Sequence, residues 1–324
     1  MAKIYRTVPA APAQDRRSGG KGPAVRKQAA RRPVGSRAAG SRSKRAAAGR
    51  PLRSRTRQAA ASGRAVLAFP ARRGALSVII SARNEERTLP KLLEQVTLLQ
   101  PLEIIVVLNG CDDRSFQRTR LCRQATVIHI PESAGHDVGR SIGAKLSRGD
   151  ILLFLDGDMS IPARQLAGFV TAVDGGVDVA LNNLDPLLPS FGLSDAVTRC
   201  KLYLNSALGR SDLGASSMTA VPHALSRRAL QVIGYRELMV PPKAQAISIL
   251  RQLRVEKAGA VDVIKHNRLR QGNTGTGNAM EQLIAGDHAE ALVQVLEQHR
   301  TGVQLSEAHL LEQRRQLAAW RNAL

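Results

Sequence analysis

Residues 151–155 read Ile-Leu-Leu-Phe-Leu and run straight into Asp156, Gly157 and Asp158. Five large apolar residues in succession, entered from a Gly-Asp turn at 149 and 150, make a strand with no polar face. A sheet covered by helices on both sides accommodates such a strand, and sheets of that kind are mostly parallel. Parallel neighbours cannot be joined by a tight turn and need crossover connections of about a dozen residues or more. One short run therefore predicts an α/β chain.

The flanking sequence has the required texture. From Ala75 onward, residues 76–80, 103–108, 125–130 and 177–181 read as strands, with a last one over 255–264. Between them apolar residues recur at helical spacing, as in Leu89, Leu92, Leu93 and Val96 within a helix over 86–99. Further helices are predicted over 115–124, 137–147, 162–173, 195–208, 224–233, 242–251, 277–299 and 306–322. Successive units of this length imply right-handed crossovers and helices on both faces. In such sheets ligands bind outside the carboxyl ends of the strands. That rule draws four polar loops, 81–86, 109–113, 136–140 and 156–158, into one crevice. Residues two apart in an extended chain point the same way, so Asp156 and Asp158 can converge on one cation, with Gly157 leaving room for a turn and a ligand. Paired carboxylates that leave part of the coordination shell to water and phosphate suit Mg2+ or Mn2+. An acidic turn closing a core strand is the plainer alternative.

Charge divides the chain. Residues 1–75 hold 20 of the 48 Lys and Arg but a single acid, Asp15, so the net +22 describes the beginning of the chain and not the rest. Built from Arg, Ala, Gly, Ser and Pro, residues 1–74 cannot bury enough apolar surface to offset the entropy of ordering, and disorder is predicted there. Such a run binds anions through salt-sensitive contacts: nucleic acid, an anionic membrane or a cell-wall polymer. It lacks interleaved stacking aromatics, so sequence-specific nucleic-acid recognition is not indicated. A solubilising tail and an Arg-rich transit peptide are the other readings of the same composition. No apolar stretch approaches the roughly 18 residues that span a bilayer, and no signal-peptide core follows Met1. A soluble, cytoplasmic protein is expected, associated with an anionic surface through its tail. Cys111, Cys122 and Cys200 contain no CxxC pair, which suggests neither a disulfide framework nor a zinc site. The expected division is a basic tail over 1–74, an α/β domain over 75–272 and a helical extension over 273–324. Apolar stripes in that extension, at Met280, Leu283, Ile284, Leu292, Val295 and Leu296, suit a core-covering role or a homodimer contact.

Four motifs in order, at residues 78–86, 104–113, 139–143 and 154–158, resemble the family 2 glycosyltransferases. The resemblance covers about residues 75–240 and implies the GT-A fold, a Rossmann-like, mostly parallel sheet with helices on both faces, here followed by C-terminal helices. It also implies a role for each matching residue. Ser81, Arg83 and Glu85 fall in the loop that holds the donor base and ribose; for Glu85 a place in a helix first turn is the alternative. Asn109 stands where the family often has an Asp that pairs with the base, and an amide offers both a donor and an acceptor for that task. Leu108 replaces another frequent acid, and Ser141 stands where Asn is usual. Arg140 is expected to face the diphosphate as a fork of donors, and Gly143 to let its helix pack closely on the sheet.

Asp156 and Asp158 then take the nucleotide-sugar and metal roles, Asp158 as the direct ligand of Mn2+ or Mg2+ and Asp156 nearer the ribose or sugar. Glu237 lies where inverting members place the base on the acceptor hydroxyl, although the usual pair of acids is absent there. His266 resembles the His that completes the metal site in some retaining GT-A enzymes, such as the glucosyl phosphoglycerate synthases. Arg268, beyond it, is expected on a phosphate. Gly214, Ser216 and Ser217 resemble the small-residue loop that lines the acceptor pocket. The implied activity is metal-dependent transfer of a sugar from a UDP- or GDP-sugar to an unidentified acceptor. A catalytically silent GT-A domain tethered by its tail, and a nucleic-acid-associated protein whose tail is the functional part, are the rival readings.

Overall fold

Eight β-strands and eight α-helices are seen among residues 2–6, 71–189, 193–263, 279–302, 312 and 315, the part of the chain that the computed structural model describes. In chain order the first half contains β1 (Lys3–Arg6), β2 (Leu76–Ala82), α1 (Leu89–Leu98), β3 (Glu103–Asn109), α2 (Ser115–Thr119), β4 (Ala125–Ile130), α3 (Val138–Leu146) and β5 (Ile151–Asp156). The second half contains α4 (Ala163–Asp174), β6 (Val179–Asn182), α5 (Ala196–Ala207), β7 (His223–Ser226), α6 (Arg227–Ile233), α7 (Pro241–Leu250), β8 (Val255–Gly259) and α8 (Ala279–Gly302).

All eight strands lie in one sheet of order β1-β4-β3-β2-β5-β7-β6-β8. The central strands are parallel and nearly devoid of exposed side chains, as their unbroken apolar runs require. Alternate residues feed two separate cores. Val78, Ile80, Val106, Leu153 and Leu155 meet Leu89, Leu92 and Val96 of α1 and Leu166 and Phe169 of α4 on one face. On the other, Ile79, Leu152 and Phe154 meet Ala144 of α3 and residues of α6 and α7. Close approach of α3 depends on glycine: a Cβ on Gly143 would collide with Ile79 Cγ2, and one on Gly139 with Ser81 Oγ.

Two expectations are corrected here. Residues 224–226, predicted as the start of a helix, form with His223 the strand β7, which inserts antiparallel between β5 and β6. His-Ala-Leu-Ser has no β-branched residue, so the strand arises from pairing with distant partners and not from local preference. The helix begins only at Arg227, where Ser226 Oγ accepts from the Ala229 amide at 3.0 Å and caps it.

The basic beginning of the chain is not wholly without structure either. Lys3–Arg6 pairs antiparallel with β4, and the Tyr5 ring meets Phe116 edge-on at 4.9 Å with Arg120 over its face. A short edge strand needs no core of its own when a finished sheet offers it a row of unpaired backbone groups. At the other end, the Gly74 amide donates to Asp174 Oδ1 at 2.8 Å and that of Ala75 to Asp150 Oδ2 at 2.9 Å, which ties the backbone down just before β2. Residues 7–70 lie outside the described part. So does the helix expected over 306–322, apart from helical residues 312 and 315. The part of the extension that is described, α8, sets Ala291 and Val295 against Leu204 of α5 and Ala246 of α7.

Candidate active site

The four polar loops do meet at the carboxyl ends of β2 to β5. Ser81 and Asp156 are register partners on adjacent parallel strands, and the Gly157 amide donates to the Ser81 carbonyl at 2.8 Å. A Cβ on Gly157 would come within 2.6 Å of Ala82 Cβ, so only glycine lets the acidic turn lie against β2. The Asp156 side chain is 32 % exposed at the crevice. Asp158 follows two residues on.

Behind Asp156 stands a guanidinium almost sealed from solvent. Arg140 is 4 % exposed. Its Nη1 pairs with Asp137 Oδ1 at 3.1 Å and donates to the Met218 carbonyl at 3.2 Å. Its Nη2 reaches Asp156 Oδ2 and the Thr219 carbonyl, both at 3.4 Å. Burial opposes the charge, but the carboxylates of Asp137 and Asp156 outweigh it and raise the Arg140 pKa. Burial also pushes the Asp137 carboxyl up, with Arg140 pulling the other way. Arg140 therefore does not present the free fork expected for a diphosphate; it faces protein on every side.

The loops after β2 and β3 brace each other. Asn84, at φ 58°, accepts the Asp112 amide on its Oδ1 at 3.0 Å; Asp113 accepts the amides of Glu86 and Ser115 at 3.0 and 2.8 Å. Partial burial works against the Asp113 charge, yet these bonds hold its carboxyl below the usual value. Asn84, Glu86, Arg87 and Asp113 line an open pocket there. Arg83 is exposed beside it. Glu85 is 1 % exposed, with its amide on Ser115 Oγ at 2.8 Å and its carbonyl opening α1, so its backbone serves the helix start. Asn109 is buried too. Its Nδ2 donates to the Gly135 carbonyl at 2.6 Å and its Oδ1 accepts the Ala134 amide at 2.9 Å, which uses both ends of the amide to fix the loop before α3.

The small-residue loop differs from expectation. Ser216 and Ser217 are 0 and 2 % exposed. Their space is filled: Asn205 Nδ2 donates to the carbonyls of Gly214 and Ser216 at 2.7 and 3.0 Å, and Gln245 Oε1 accepts the Met218 amide at 2.8 Å. Gly214, at φ 55°, lies where any Cβ would strike the Asp185 carboxylate. Glu237 sits on a 3-10 turn, Tyr235–Met239, packed against α3 and α7, and its carboxylate pairs with Lys243 at 3.0 Å. His266 and Arg268 lie outside the described residues. Two groups had no clear signal in the sequence. Asp137 is one, and its i,i+3 spacing to Arg140 was the available hint. The other is His223, buried against Phe154 and pushed down to about 3 by burial and by Arg140, hence neutral.

Among the described residues no three His, Cys, Asp or Glu side chains form a metal cluster. Asp156, open to solvent at 32 %, and the partly buried Asp158 two residues on nevertheless suit Mg2+ or Mn2+ by their chemistry, since these ions are commonly held by one or two carboxylates together with substrate phosphates.

Residues 77–193, which contain every strand of the parallel half and all four loops, match the family model Glycosyl transferase family 2. This segment is similar to family 2 glycosyltransferases. The chain is 32 % identical over 117 residues to an undecaprenyl-phosphate 4-deoxy-4-formamido-L-arabinose transferase of Aeromonas hydrophila, covering 32 % of this chain and 35 % of that one. It is 32 % identical over 126 residues to the glycosyltransferase AglE of Haloferax volcanii, covering 36 % of this chain and 41 % of that one. The chain thus matches well under half the length of these relatives. Among solved structures, glucosyl-3-phosphoglycerate synthase from Mycobacterium tuberculosis, in complex with Mn2+, UDP and phosphoglyceric acid, superposes with a TM-score of 0.50 at 17 % identity. That match covers 68 % of this chain and 78 % of the synthase. The fold it shares with that synthase is the GT-A type, an α/β sheet, mostly parallel, with helices on both faces.

Proposed function

We propose that this protein is a metal-dependent glycosyltransferase that moves a sugar from a nucleoside diphosphate donor, UDP- or GDP-linked, to an acceptor hydroxyl. One observation carries the reading: within the matched segment, Asp156 ends the central strand and is backed by a buried Arg140, with Asp158 in the turn that follows. The Mycobacterium tuberculosis synthase of the same fold was solved with Mn2+ and UDP, which supports the donor class.

Asp158 and Asp156 are the residues that would hold Mn2+ or Mg2+, and the cation supplies charge neutralisation for the leaving diphosphate. Everything else rests on the chain's own groups. The braced loops 81–86 and 109–113 form the floor for the nucleotide, with Ser81 and Arg83 at its edge. Asn109 shapes the adjoining loop 134–135. Glu237 is the acceptor base in this reading, and His266 and Arg268, which lie outside the described residues, keep the metal and phosphate roles that the resemblance implies. The buried 214–218 loop acts as a wall and not as a pocket lining.

The deciding experiment uses the full chain. Thermal unfolding is followed with UDP, GDP and their sugars, in Mn2+ and in EDTA. A ligand at a hundredfold excess over Kd stabilises by about 2.7 kcal/mol, so a true donor shows plainly. Metal-dependent stabilisation by one nucleotide, lost in Asp158→Ala, is the expected result. No shift with any nucleotide sinks the enzyme reading and leaves a silent fold.

A further inference from the structure

Asp137 occupies the N-cap of α3, where an Asp ordinarily accepts an amide of the first turn. Here its side chain caps nothing and is spent on Arg140 at 3.1 Å instead. Both groups are buried, Asp137 at 8 % and Arg140 at 4 % exposure. Arg140 Nε is buried with no hydrogen-bond partner, so the guanidinium is not seated as a fork on one carboxylate. It is stretched between two. One terminal nitrogen answers Asp137 and the other answers Asp156 Oδ2, while the carbonyls of Met218 and Thr219 fill the remaining donor directions.

We propose that Asp137 is a positioning residue for the donor site: by anchoring Arg140 it fixes the carboxylate of Asp156 toward the crevice, and Arg140 acts through Asp156 and not on the diphosphate. This rests on the reading of Asp156 and Asp158 as the donor site. Its physical basis is that Arg140 cannot swing out to a phosphate without leaving Asp137 buried and unpaired, which is the costly way to break an ion pair. With Asp137 in place, Asp156 Oδ2 is tied down and Oδ1 is the oxygen left to face a ligand. A carboxylate held in one orientation binds a cation–diphosphate pair without first losing rotamer freedom.

The test measures UDP binding to the full chain by calorimetry, with and without Mn2+, with GDP as a second probe. Asp137→Asn is expected to weaken Mn2+-dependent binding at least tenfold and to leave binding without metal unchanged. Asp137→Glu recovers part of the loss. Because Asp137→Asn leaves a buried Arg without its anion, a second variant, Asp137→Leu with Arg140→Met, removes both charges in apolar isosteres, a change that buried pairs often tolerate. It is expected to unfold near the wild-type temperature yet bind Mn2+-UDP as weakly as Asp137→Asn. Adding Asp137→Asn to Asp156→Asn should cost nothing further, since both act on one carboxylate. Wild-type-like binding, within twofold, in a folded Asp137→Asn or in the Leu/Met variant overturns the proposal alone. Absence of Mn2+-dependent nucleotide binding in the wild type overturns the functional reading and this proposal with it.

Discussion

Arg140 Nη2 lies 3.4 Å from Asp156 Oδ2 while Nη1 of the same side chain lies 3.1 Å from Asp137 Oδ1, so one buried cation balances two carboxylates on different elements. Removing the cation is expected to be worse than removing the pair. Arg140→Met strands Asp137, and an uncompensated buried charge of this kind costs about 3–5 kcal/mol. Urea unfolding of Arg140→Met should show that loss, and adding Asp137→Leu should recover most of it. A single variant as stable as the wild type would mean that the Asp137 charge escapes to solvent.

The acidic turn makes a second, purely steric prediction. Gly157→Ala places a methyl 2.6 Å from Ala82 Cβ, between two carboxylates whose separation is set by that turn. The turn must lift off β2, and overpacking of this kind costs about 1–3 kcal/mol. Nucleotide affinity in Mn2+ should fall by tenfold or more, and Ala82→Gly, which removes the opposing methyl, should restore much of it. Restoration is the informative outcome, because a general loss of folding would not respond to it.

A third concerns β1. Tyr5 lies edge-on to Phe116 and under Arg120, and the strand it belongs to covers the outer edge of β4. Deleting residues 1–6 bares that edge, a row of backbone donors and acceptors that another chain can pair with. Lower thermal stability and concentration-dependent association, read by light scattering, are expected. Tyr5→Ala should keep the strand and lose only the ring contacts, about 0.5–1.5 kcal/mol.

These elements differ in how far the sequence announced them. β5 and its acidic tip were legible because burial on both faces leaves an unbroken apolar run, and because strand ends are where such sheets bind ligands. Gly143 was legible for a local reason, the closeness of α3 to Ile79. The strand at His223–Ser226 was not, since its conformation comes from β5 and β6, more than forty residues earlier in the chain. β1 was hidden by composition: Lys3–Arg6 sits in a strongly basic stretch and gains its structure from a partner over a hundred residues away. Arg140 and Asn109 fell at the expected places, but which way a polar side chain turns depends on partners that spacing does not reveal. Asn109 found the 134–135 backbone, and Arg140 found Asp137.

The last prediction follows from α8. Asp287 is half-buried, and burial first, then the carboxylates of Asp137 and Glu290, push its carboxyl up to about 6, with exposed His136 pulling slightly the other way. In the unfolded chain the same group ionises near its ordinary value of 3.8. Between those two values the folded state holds the proton and the unfolded state does not, so folding stability falls as pH rises from about 4 to about 6 and stays lowered above that. Asn at this position cannot ionise. Asp287→Asn should therefore match the wild type near pH 4, become the more stable of the two as pH passes 6, and keep that advantage to pH 8. Urea midpoints of both proteins at pH 4.5, 5.5, 6.5 and 7.5 follow the difference directly. The size of the gap is left to the measurement, because a half-exposed group is partly screened by solvent. A difference that does not change with pH would mean that α8 does not bring Asp287 up to Asp137 and Glu290 in solution.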